Sequence, residues 1–129
     1  MIQDIGLINF INNGVTAQQK YAASSGIFGP SDAMPKSERY RMIIDNIGHM
    51  TEEIIEARRN VVRRPWKRGE IGCLDTPKKR QEFIEEMFDV LLFFRATLAY
   101  AEISGEEFCE IAWEKLDYNN KRKDHLTNI

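Results

Sequence analysis

Apolar side chains recur at helical spacing along two long stretches of this chain, and proline punctuates the segment between them. The first stretch carries Ile43, Ile44, Ile47, Met50, Ile54 and Ile55. The second carries Phe83, Ile84, Met87, Phe88, Leu91, Leu92 and Leu98. Residues spaced in threes and fours share one face of a helix, so each stretch predicts an amphipathic helix. Pro65 cannot continue the first helix, because it lacks an amide and its ring clashes with the preceding turn. The run "RRPWKRGEIGCLD" is therefore a connection. Thr76-Pro77 restarts the chain with an N-cap and a proline at the first helical position. Two long antiparallel neighbours follow from that arrangement.

The rest of the chain reads as helix too. Residues 2–12 predict a short helix stopped by Asn13-Gly14. Thr16 then caps a second piece, "AQQKYAASS", which stops at Gly26. The Gly- and Pro-rich "GIFGPSDAMPK" is a loop, and Ser37 caps the long helix after it. Ser104 and Glu107 form a capping box, with Ile103 and Phe108 placed as a hydrophobic staple. Strand signals are weak throughout, and there are no internal repeats. The expected architecture is one all-α domain over residues 1–129, a helical bundle of four to five helices. A bundle this small leaves apolar helix surface to cover, so a homo-oligomer is expected, a homodimer or homotetramer.

Charge and cysteine narrow the function. The formal net charge is −2, but nine of the 18 Lys and Arg fall between Arg58 and Arg80. That segment, 58–80, supports a competing reading as a helical interaction or nucleic-acid-binding module. Such a module gives no reason to set Glu86 and Asp89 inside an apolar run, so no nucleic-acid partner is expected. Cys73 and Cys109 stand far apart without a CxxC pattern, which argues against a zinc site or a disulfide scaffold. The start, "MIQDIGLINFINNG", lacks the basic region of a signal peptide, and "VLLFFRATLAY" is interrupted by Arg95. A cytoplasmic location and no membrane partner are expected.

The chemistry lies in two acidic pairs. Glu53 and Glu56 share a face of one long helix, and Glu86 and Asp89 share a face of the next. Both pairs are embedded among core-type residues. Four carboxylates brought together repel one another, and a divalent cation relieves the repulsion. Neither pair has the histidine partner that di-iron bundles use. An all-oxygen set favours a hard ion, Mg²⁺ or Mn²⁺.

Glu-x-x-Glu on one helix followed by Glu-x-x-Asp on the next resembles the all-α nucleoside triphosphate pyrophosphohydrolases, a superfamily that includes dimeric dUTPases and MazG-type enzymes. "RRPWK", with Trp66 and Lys67, is similar to the segment that follows the first acidic pair in dimeric dUTPases. In the last helix, Lys115, Asn119 and Arg122 match the pattern Lys-Asn-x-x-Asn-x-x-Arg-Gln of that branch, while Leu116 and Lys123 depart from it. Gln18 and Gln19 match a Gln-Gln-Lys-Leu-Asn segment, and Ala22 stands where the family has an Asn that contacts uracil.

The resemblance implies cleavage of a (d)NTP to the monophosphate and pyrophosphate. It implies Mg²⁺ held by Glu53, Glu56, Glu86 and Asp89, with Glu53 or Glu56 accepting a proton from water. Lys67, Lys115, Asn119 and Arg122 are the expected phosphate contacts, Trp66 a nucleoside contact, and Gln18 and Gln19 base contacts. Ala22 implies a broadened or altered base preference, with the small residue making room.

Overall fold

The computed structural model of the protein describes residues 4–61 and 66–127, with side chains described through Arg122. Four helices account for the described architecture: α1 (Ile5–Ser25), α2 (Lys36–Arg59), α3 (Pro77–Tyr100) and α4 (Gly105–Thr127). The all-α expectation holds, and no strand occurs among the described residues.

The ends of α3 and α4 form as their sequences dictate. Thr76 Oγ1 accepts from Lys79 N at 3.1 Å, and Pro77 opens α3. Ser104 Oγ accepts from Glu107 N at 3.1 Å, the forward half of the capping box. The start of α2 differs from expectation. Pro35 occupies the N-cap with no side-chain cap bond, and Ser37 lies inside the first turn.

The larger correction concerns α1. Asn13-Gly14 does not stop a helix, because α1 runs unbroken from Ile5 to Ser25. Asp4 caps it, accepting from Leu7 N at 3.1 Å, and Gly26 ends it in the left-handed region at φ 70°. Gly14 is buried where α3 crosses: a Cβ there would lie 3.2 Å from the Arg95 carbonyl oxygen and 3.1 Å from Arg95 Cγ. Glycine serves close helix approach here rather than a turn. Arg95 bridges the same crossing, its guanidinium 4.8 Å from the Phe10 ring centroid.

α2 and α3 form the most extensive pairing, and α1 lies across α3. α4 runs beside α1 and touches α3 through the Phe94–Phe108 ring contact, centroids 5.3 Å apart. The buried core is made of Ile11, Ala22, Ala57, Ala96, Leu98, Ala99, Tyr100 and Cys109. It concentrates at the junction of α1 with the end of α3. The α1–α2 loop is clamped there as well. Tyr100 Oη donates to Phe28 O at 2.6 Å, and Arg39 donates to Pro30 O and Tyr100 O at 3.0 and 3.2 Å. Among the described residues, no helix is long and apolar enough to cross a membrane.

Candidate metal centre

Antiparallel pairing sets residues near 53 on α2 opposite residues near 86–89 on α3. One turn further along, His49 meets Phe93 with ring centroids 5.2 Å apart. The register brings the two acidic pairs face to face. Oxygens of Glu53, Glu86 and Asp89 lie within 4.8 Å of one another, and all three side chains are half-buried. Glu56 is exposed at the edge of this group, close enough to act on Glu86.

Two features separate these acids from ordinary surface carboxylates. First, Glu53 Oε2 and Glu86 Oε2 are fully buried and have no hydrogen-bond partner. Burying a carboxylate oxygen without a partner is costly, so native structures rarely leave one. Second, no Lys or Arg among the described residues pairs with any of the four. Glu86 responds to its neighbours. Once protonated, Glu86 can donate to Glu53 or to Glu56, and this, followed by burial and the two negative charges, raises its carboxyl to about 7. Carboxylates crowded this way cannot all ionise unless a positive charge joins them. The orphaned oxygens and the all-oxygen donor set therefore fit a hard divalent cation.

A cleft of about 610 Å³ opens from Glu53 and Asp89 toward α1, within the range of small-molecule sites. Met42, Asp45, Asn46 and His49 of α2 line it, with Leu92 and Phe93 of α3 opposite and Gln18 and Tyr21 of α1 closing the end. Gln18 thus reaches the cleft that the acids adjoin. Gln19 does not. Its Nε2 donates to Asp32 Oδ1 at 3.1 Å and its Oε1 accepts from Ser31 N at 2.8 Å, so it holds the α1–α2 loop instead of a base. Ala22 is buried at 1% exposure and does not line the cleft, so its small size serves helix packing and opens no room for a ligand.

The basic candidates stand apart. Trp66, 80% exposed, and Lys67 lie in the connection that leaves α2 at its acidic end. Neither lines the cleft. Lys115, Asn119 and Arg122 are exposed on α4, which runs beside α1. Lys115 Nζ sits 5.3 Å from the Tyr118 ring centroid. Within one chain these three are not brought to the acids. The middle of the basic segment, Arg63 and Arg64 with Pro65, lies outside the described residues. Asp45 and Asn46 escaped the sequence reading, and His49, four residues before Glu53, was set aside as a metal partner. Their spacing from Glu53 along one helix face was the available signal.

No family model, no curated protein and no solved structure matches this chain.

Proposed function

We propose that the protein is a divalent-cation-dependent nucleoside triphosphate pyrophosphohydrolase, with Mg²⁺ or Mn²⁺ as its cation, acting as a homo-oligomer. The observation that carries this reading is the pair of buried, unpartnered oxygens, Glu53 Oε2 and Glu86 Oε2, beside a nucleotide-sized cleft. The order of the two acidic motifs supports it.

Glu53, Glu86 and Asp89 would hold the cation, since their oxygens converge. When bound, the cation neutralises charge on the phosphate oxygens and makes water a better nucleophile. Glu56, outside the converging trio, is the proposed general base. It takes one proton as water adds across the α–β anhydride, and the β- and γ-phosphates leave as pyrophosphate. Its exposure leaves it in contact with the water it must activate. The stretch of cleft beyond the acids receives the nucleoside. Phosphate contacts by Lys67, Lys115, Asn119 and Arg122 belong to this proposal. The α4 residues would have to serve a site formed with a second subunit.

Incubation with each common dNTP and Mg²⁺, followed by separation of products, tests the reaction. Monophosphate and pyrophosphate are expected. Orthophosphate with a diphosphate, or no turnover of any nucleotide, would overturn it.

A further inference from the structure

Beyond the carboxylates, the cleft is lined by groups that no phosphate would need. Asn46 lies seven residues before Glu53 on α2, about 10 Å along the helix axis. That separation is comparable to the reach from the inner phosphates of a nucleotide, across the sugar, to the edge of its base.

Asn46 is only 8% exposed, the one polar side chain in the buried set among the described residues. Its amide is already half committed. Nδ2 donates to Met42 O at 2.8 Å. A carbonyl oxygen would repel that backbone oxygen, so the network fixes the orientation of the amide and leaves Oδ1 for other partners. Among the described residues no donor reaches Oδ1. Oδ1 is also not one of the sealed orphan oxygens, so it retains access to the cleft that Asn46 lines. Asp45 next to it lines the same cleft and, when ionised, offers only acceptors. Gln18 can turn either face of its amide, Tyr21 lies exposed at the cleft end, and a neutral His49 offers one donor and one acceptor, so none of the three opposes this bias.

We infer that Asn46, with Asp45 beside it, reads the base, and that these acceptors select a base carrying an exocyclic amine, such as cytosine or adenine, over its keto counterpart. The inference rests on the nucleotide-hydrolase reading above. An amino base donates to Oδ1. A keto base held in the same pose sets its carbonyl oxygen against Oδ1 and leaves a buried acceptor unpaired, since its ring N–H lies one atom away and reaches Oδ1 only if the base shifts, and sites that leave buried groups unpaired discriminate.

The test compares two matched pairs, dCTP against dUTP and dATP against deoxyinosine triphosphate, by kcat/KM with Mg²⁺. The amino member of each pair should be favoured by about tenfold to hundredfold. Asn46→Leu keeps the shape, removes the acceptor and should bring both ratios toward one. Asp45→Asn, at an exposed position, introduces a donor and should lower them even if the first variant fails to fold. Equal use of each pair, or preference for the keto member, overturns the inference and leaves the hydrolase reading intact. If no nucleotide turns over, the hydrolase reading falls, and equilibrium binding of dCMP and dUMP to the wild-type chain decides the rest. Preference for dCMP upholds the base site, and equal or absent binding overturns it.

Discussion

Glu86 ties stability to its proton. Its carboxyl is raised from 4.5 to about 7, first by hydrogen bonding with Glu53. Between those values the folded chain keeps a proton that the unfolded chain has released. The stability this proton confers is complete below about pH 4.5 and lost as pH rises through about 7. In a chelator, the melting temperature should therefore fall between pH 5 and pH 8, and Glu86→Gln should flatten that fall. Divalent cation competes with the same proton, so its affinity should rise over the same interval. A metal-free melting temperature that climbs toward pH 8 would contradict the crowding of Glu53, Glu56 and Glu86. At this scale the sequence was informative about the acids and misleading about their neighbours. Glu53, Glu86 and Asp89 converge, with Glu56 at their edge, because helical spacing and antiparallel pairing leave little choice. Gln18 and Gln19 are adjacent and chemically identical, yet one faces the cleft and the other is bound by the loop at Ser31 and Asp32. A 100° step around a helix decides that, and no local pattern in the sequence announces it.

α1, α3 and α4 begin where their own residues provide caps, and helices cross closely where side chains are small. The starts of α3 and α4 were legible because Thr76 and Ser104 satisfy free amides within three residues of themselves. Gly14 was misread because a glycine that admits a crossing helix looks like a glycine that ends one. The second close approach, at the start of α4, yields a direct prediction. A Cβ on Gly105 would clash with the Ile8 carbonyl oxygen, a backbone atom that cannot swing away. Gly105 N also donates to Asn12 Oδ1 at 2.7 Å. Gly105→Ala should lower stability by about 1–3 kcal/mol, as overpacking does elsewhere, despite alanine's better helix propensity. Chemical denaturation measures this, and an unchanged or raised midpoint would show that α4 docks on α1 less closely. Gly105→Ala should leave α2–α3 pairing intact, so any residual divalent-cation affinity in the folded variant should match wild type.

As a whole, the molecule exposes more surface than a chain of its size should. Its accessible area is 9756 Å², whereas a folded monomer of this mass is expected to show about 7,000 Å². Much of the surplus is apolar. Ile84, Met87, Phe88 and Leu91 form an exposed stripe on α3, and Ile44, Ile47, Ile54 and Ile55 are exposed on α2. Sequence periodicity placed these residues on apolar faces correctly. It could not say whether the partner of such a face lies inside or outside the chain, because burial inside a fold and burial against a neighbour leave the same pattern. A surplus of about 2,700 Å² per chain exceeds the ~800 Å² each partner gives up in an ordinary interface, which is surface enough for the proposed homo-oligomer. Light scattering at micromolar concentration should report a dimer or tetramer. Leu91→Glu on the α3 stripe should dissociate it and lower the melting temperature, whereas a wild-type chain that scatters as a monomer would refute the assembly.

The acids that α2 and α3 crowd together form the proposed divalent-cation site. Calorimetric titration of the wild-type chain at pH 8 with Mn²⁺, and with Mg²⁺, tests it most directly. The account predicts binding of at least one ion per chain, weakened by about tenfold or more in Glu53→Gln and in Asp89→Asn, with helical content by circular dichroism unchanged. Absence of binding to the wild type, or equal binding by both variants, would contradict it.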